Sequence, residues 1–346
     1  MAAAPVDCCA TECTVRAIAQ AMTQIKSAVL ATSQPHNREG SGKFDLDHTN
    51  ARPGCIAYLQ GSKQTEFTMY KTIVVHLASG ESVCATMRVA ARLAGQMEAH
   101  LIGTATTGVV ELNYLMAAGA PMAVMAAADI DDLRQEAQQQ LRQFEAQCQA
   151  HGVPSFEARL MDTSAADALL LQSRYCDLLV AGKADLLDYG MLLPARLPDT
   201  LLTKAARPVL LVPANMPADV RFDKIMLAWN GSQAASRAIA FAMPLIARAS
   251  KVYVAVCNAT QERIDVGGDP GVDLAVYLSR LHRNVELLRR DTDEDPDLAL
   301  TSLAAEAGVH LIVAGAFGHS RIHDLVLGST TRGLIARAEV PLLMAN

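Results

Sequence analysis

The residues best placed to do chemistry lie in one stretch near the C-terminus: Gly315-Ala-Phe-Gly318-His319-Ser-Arg-Ile-His-Asp-Leu-Val-Leu-Gly328-Ser329-Thr330. It follows an apolar run that reads as a strand, and it precedes a segment that reads as a helix, Thr331–Ala338. Glycines at 315 and 318 let the backbone turn and come close to a ligand with no Cβ in the way. Gly328, Ser329 and Thr330 would open the helix, where free N–H groups and the positive end of the helix dipole favour a phosphate. The hydroxyls of Ser329 and Thr330 add donors. The chemistry implied is phosphate binding. A glycine-containing turn without a ligand is the plainer alternative.

The elements that must position this loop come in two similar sets. Tyr70-Lys-Thr-Ile-Val-Val-His-Leu-Ala-Ser79 resembles Phe222-Asp-Lys-Ile-Met-Leu-Ala-Trp-Asn-Gly231. Each is followed by a helical stretch, Ser82–Gln96 and Gln233–Ala249, and by a second strand, His100–Thr104 and Lys251–Val256. Asp177-Leu-Leu-Val-Ala-Gly182 resembles His310-Leu-Ile-Val-Ala-Gly315, and Arg207-Pro-Val-Leu-Leu-Val212 resembles Val340-Pro-Leu-Leu-Met-Ala345. These last two pairs share a spacing of 133 residues, against 152 for the first strands, so the first half carries extra chain between Ala105 and Asp177. That surplus includes the Met-rich stretch Met116–Met125 and a longer helix, Asp129–His151. In the second half a helix near Val272–His282, a strand Val285–Arg289 and a helix Asp297–Ala307 complete the set, with Asp295-Pro296 as N-cap and first turn. Strands alternating with helices predict βαβ units, right-handed crossovers and a doubly wound parallel sheet.

The spacing Gly-x2-Gly-x9-Gly-Ser, set between an apolar strand and a last strand led by Val340-Pro341, resembles the ATP-binding signature of the universal stress protein family. The resemblance runs from Met69 to Asn346 and is to its tandem two-domain members. It implies two doubly wound, Rossmann-like, adenine-nucleotide-binding α/β domains in tandem, and a cytoplasmic, often dimeric stress-response protein that binds ATP, with magnesium as a companion ion. By position it places Asn230 against the adenosine part, where ATP-binding relatives carry an acidic residue. It places Cys257 at the adenine pocket, Ala314 and Gly315 by the ribose, and Gly318, His319, Gly328, Ser329 and Thr330 around the phosphates. Asn230 can hydrogen-bond but brings no charge, which weakens any metal-holding role there. No metal site is expected.

The first half departs from the pattern. At the 133-residue spacing, Gly182 keeps the first glycine, while Asp185, Ala195 and Arg196 replace the second glycine, the third glycine and the serine. Pro194 and Pro198 reshape the loop further. A carboxylate where phosphate would sit repels it, so this half is expected not to bind ATP in this way. In the family the last strand helps to build a dimer contact. Here Val340–Met344 could be covered by Val209–Val212 of the same chain, giving an internal pseudo-dimer, or by a second chain, giving a homodimer.

The domain boundaries expected are 69–215 for a degenerate domain and 216–346 for an ATP-binding domain. Residues 1–68 read as a head outside both, with no sustained periodicity except Thr14–Thr32, which could form a helix. The head is expected to be disordered or not native, with Met69 opening the first clean strand. Cys8, Cys9 and Cys13 lie in this head with no Cys or His pair following at ligand spacing.

The 346 residues are 51% hydrophobic, 19% charged and only 4% aromatic, with a net charge of −6. No long Lys/Arg run stands out, so nucleic acid is not an expected partner. The most apolar stretch, Leu101–Ile130, is interrupted by Glu111, Asn113, Gly and Pro, so no membrane span is expected. The N-terminus lacks a basic segment followed by an apolar one. Eight cysteines read as reduced thiols of a cytoplasmic protein. There is no Walker A motif, no G-x-G-x-x-G after a strand and no G-x-S-x-G elbow. No catalytic residue is assigned, although His319, Ser320, His323 and Asp324 could position a water. Three functions remain open at this level: a nucleotide-dependent stress or signalling protein, a slow ATPase or self-phosphorylating enzyme using the same loop, and a non-nucleotide interaction scaffold.

Overall fold

A computed structural model of the chain describes residues 69–78, 82–109, 130–183, 197–217, 219–258, 270–281, 284–316 and 328–346. The head, the Met-rich stretch and the loop residues 184–196 and 317–327 lie outside them, so the expectations for Thr14–Thr32, Asp185, Pro194, Ala195 and Arg196 concern residues beyond those described.

The first set of elements is β1 (Thr72–Leu77), α1 (Ser82–Met97), β2 (His100–Thr106), α2 (Ile130–Ala150), β3 (Phe156–Met161), α3 (Ala165–Gln172), β4 (Leu178–Gly182), α4 (Leu197–Lys204) and β5 (Val209–Val212). The second is β6 (Lys224–Ala228), α5 (Gln233–Ile246), β7 (Lys251–Cys257), α6 (Pro270–Ser279), β8 (Val285–Arg290), α7 (Pro296–Ala307), β9 (Leu311–Gly315), α8 (Ser329–Arg337) and β10 (Leu342–Ala345). Both follow the alternation expected from the sequence, with ends shifted by a few residues.

All ten strands form one sheet in the order β3-β2-β1-β4-β5-β10-β9-β6-β7-β8. Each group of five runs parallel within itself. The central strands are continuous apolar runs because helices cover both faces. Residues alternate between the two sides: Ile73, Val75 and Leu77 of β1 join the core under α1, α2, α5 and α6, while Val74 joins the core under α3, α4, α7 and α8. The result is three layers, helix on sheet on helix.

Local signals set the helix ends. Ser164 and Ser232 cap α3 and α5, each hydroxyl accepting from a backbone N–H three residues on (Asp167 and Ala235, both at 3.1 Å). The helix α7 starts at Pro296 and stops at Gly308, whose φ of 58° is left-handed. Asp295 does stand at the N-cap, but its side chain makes no capping bond; its carbonyl accepts the first turn's N–H groups instead. The carboxylate that matters is Asp297, which is buried and accepts from Arg337 Nη1 on α8.

Within this chain the last strand is covered by β5. The two groups meet at β5 and β10, which pair antiparallel, with Leu342, Leu343 and Met344 opposite Leu211, Leu210 and Val209. β10 also pairs with β9 on its other side, so neither of its edges is open. Side chains reinforce the junction. Tyr70 Oη donates to Phe241 O at 2.8 Å, and Lys183 Nζ donates to Ala336 O at 3.0 Å and Ala338 O at 2.6 Å. Asn346 Nδ2 donates to Thr203 O at 3.2 Å.

Burial also sets how the fold responds to alkali. Cys148 and Cys176 are buried, and burial pushes both thiols from the ordinary 9.0 up to about 12. Both stay protonated in the folded chain after they have ionised in the unfolded one. Their contribution is therefore complete below about pH 9 and is lost between 9 and 12. Urea unfolding at pH 8 and pH 10 is expected to show a fall in stability. The Cys148→Ala/Cys176→Ala variant should fall by roughly 2–3 kcal/mol less, about 1.4 kcal/mol for each thiol.

Candidate functional site

In an open parallel sheet, a crevice forms at the carboxyl ends of two neighbouring strands whose connections leave in opposite directions. In the second group these strands are β6 and β9. β6 leads outward through α5 to β7, and β9 leads through α8 to β10. Ala228, the last residue of β6, sits beside Ala314, and Ala314 sits beside Met344.

Most residues singled out in the sequence gather at this edge. Asn230 follows β6, and its Oδ1 accepts from Ser232 N at 3.1 Å, so part of its capacity holds the turn into α5. The turn also needs Gly231, whose φ is 74°. Cys257 ends β7 and is half-buried; burial raises its thiol, with Arg290 opposing and Asp291 adding to the shift. Ala314 is buried and Gly315 closes β9. A Cβ on Gly315 would lie 2.5 Å from Ala235 N and 2.8 Å from Ala234 C. This glycine is therefore demanded by the start of α5, which packs directly on the strand end, and not only by a ligand.

The residues expected to surround the phosphates divide. Gly318 and His319 lie outside the described residues. Gly328, Ser329 and Thr330 form the N-cap and first two positions of α8, which begins two residues earlier than expected from the sequence and stops at Arg337, because Ala338 turns to ψ 125° on the way to β10. No side chain caps α8, and its first turn has no acidic residue. The dipole end and its orphan N–H groups thus lack a protein partner among the described residues. Gly328 has φ −61° and ψ 158°, and a Cβ there meets nothing within 4 Å among them.

Three contributors had no clear sequence signal. Thr331 Oγ1 donates to Ala316 O at 2.7 Å, pinning the start of α8 to the end of β9. Asn258, at φ 52°, accepts from Thr292 N at 2.9 Å and shapes the rim beyond Cys257. Lys183 of the first group places its ammonium at the negative end of α8; burial lowers its pKa and Glu339 opposes that. Only the Asn-at-positive-φ pattern of Asn258 could have been suspected from residue type.

The corresponding edge of the first group differs. Gly182 ends β4 as expected, but α4 carries Asp199 in its first turn, next to its positive end. Among the described residues no cluster of His, Cys, Asp or Glu could hold a metal ion, and no helix is long and apolar enough to cross a membrane.

The fold and this edge define a doubly wound α/β protein with an open helix N-terminus at a strand switch point. Residues 221–346 match the Universal stress protein family, and the chain carries a domain of that family there. A universal stress protein of Synechocystis sp. is 24% identical over 147 residues, which is 42% of this chain and 49% of that protein, so the match spans about half of that relative's length. Among solved structures, a universal stress protein from Archaeoglobus fulgidus superposes over 81% of this chain and 97% of its own, with a TM-score of 0.61 and 15% identity. A putative universal stress protein from Pseudomonas aeruginosa covers 80% of this chain and 94% of its own, with a TM-score of 0.52 and 14% identity. At such identities these two likenesses speak for the fold.

Proposed function

We propose that the carboxyl edge of residues 216–346 binds ATP, and that the chain acts as a nucleotide-dependent stress-response or signalling protein. The observation that carries this is the start of α8 at Gly328-Ser329-Thr330, which no described side chain caps and whose first turn holds no acidic residue, set beside the β6–β9 crevice. Anions are favoured at such a helix end. Ser329, Thr330 and the backbone N–H groups of the first turn would hold the phosphates, Gly318 and His319 would close over them, and Ala314 and Gly315 would line the ribose. Asn230 and Cys257 would face the adenosine end. A bound magnesium ion would neutralise phosphate charge; Asn230 gives it no anionic ligand.

On this reading residues 69–215 form the second domain of a tandem pair and do not take ATP in the same mode. Asp199 at the start of α4 opposes a phosphate there. The test is the nucleotide content of freshly purified protein, by heat release and chromatography, with ATP titration under magnesium. The expected result is one ATP per chain. Two per chain would overturn the assignment to the second half alone; an empty protein that also ignores added ATP would remove the site.

A further inference from the structure

At the amino end of β6, away from the carboxyl edge of the second group, the end of α1 faces the end of α5 across a groove of about 380 Å³. Arg92 and Gln96 enter it from α1, Arg248 from the turn after α5, and Arg221 from the segment that leads into β6. Met97 and Leu245, both buried, supply an apolar floor. The single lining carboxylate, Asp223, lies 4.0 Å from Arg221. Arg92 and Arg248 have no carboxylate partner among the described residues. One turn back on α1, Arg88 donates to Met216 O at 3.2 Å, and its Nε is enclosed without a partner among those residues.

This concentration of cations is at odds with a chain of net charge −6. Like charges gathered around one concavity repel one another, so the arrangement is disfavoured unless an anion neutralises it. The guanidinium fork matches phosphate in two-pronged geometry. The apolar floor suits the body of a small organic molecule, and the volume is within the range of ligand pockets. We infer that this groove is a second binding site, separate from the carboxyl edge, for a small phosphate-bearing metabolite. Because Arg92 belongs to the first half of the chain and Arg248 to the second, the ligand would bridge the two halves.

The test is calorimetric titration with inorganic pyrophosphate at about 0.15 M salt, where weak surface attraction is largely screened. Three proteins are compared: the unmodified chain, Arg92→Gln/Arg248→Gln and Ser329→Ala/Thr330→Ala. Saturable binding by the unmodified chain is expected. It should weaken at least tenfold in the arginine variant and persist in the α8 variant. Absence of saturable binding in the unmodified chain, unchanged binding in the arginine variant, or loss in the α8 variant alone would each overturn the inference. Circular dichroism checks that the variants fold. Should the double variant fail that check, Arg248→Gln, at an exposed position, decides by the same comparison, with a loss of about threefold expected and none overturning the inference.

Discussion

Replacing Gly328 by Asp is expected to weaken ATP binding by about a hundredfold while leaving the fold at least as stable. The two effects separate because one backbone position serves both. Gly328 is the N-cap of α8, with extended dihedrals open to any residue and no described atom within 4 Å of a Cβ. Aspartate is among the preferred N-caps, and replacing an uncapped glycine by it changes stability by a few tenths of a kcal/mol in the favourable direction. The same carboxylate would occupy the orphan N–H groups and set a negative charge against the phosphates. Two unit charges about 4 Å apart repel by roughly 1–4 kcal/mol at surface dielectric values, and loss of the N–H contacts adds to that. Titration with ATP gives the affinity, and thermal unfolding without nucleotide gives the stability. Unchanged affinity would show that α8 does not contact phosphate. A collapse in stability would show that Gly328 is there for packing.

Residues 216–346 produced alone are expected to self-associate through β10. In the intact chain Leu342, Leu343 and Met344 are buried, with β5 along one edge of β10 and β9 along the other. Removing the first half strips β5 away and leaves a row of unpaired N–H and C=O groups bordered by leucines, a template for another strand. Each leucine left partly in water forfeits up to about 1.5–3 kcal/mol of burial. The pairing of β5 with β10 is antiparallel, so a second copy of β10 can lie against the first with two-fold symmetry. Light scattering coupled to size exclusion should give twice the fragment mass, against a single mass for the fragment carrying Leu343→Lys. A monomeric unmodified fragment would mean that β10 does not need cover.

Local periodicity and spacing were enough to read the order of elements, because the central strands are short apolar runs and α7 is bounded by Asp295-Pro296 at its start and Gly308 at its end. The two-fold likeness of the halves, the parallel fold class and the Gly-Ser-Thr start of α8 were legible for the same reason: they depend on neighbours in the chain. The pairing of Leu343 with Leu210 was not legible, because both strands are equally apolar and nothing local says which edge each will choose. Gly315 appeared to serve a ligand, and only the packing of Ala234 and Ala235 against it revealed a structural demand.

The sequence by itself determined the units: the alternating strands and helices, and one glycine-containing loop between the last strands. Only the tertiary structure decided how the units meet. It joined the two groups into one sheet at β5 and β10, brought Lys183 to the far end of α8, and set Arg92, Arg221 and Arg248 around one groove. Secondary structure follows from backbone and side-chain preferences over a few residues. Contacts between residues more than a hundred positions apart follow from which apolar edges and faces remain to be buried once those units exist.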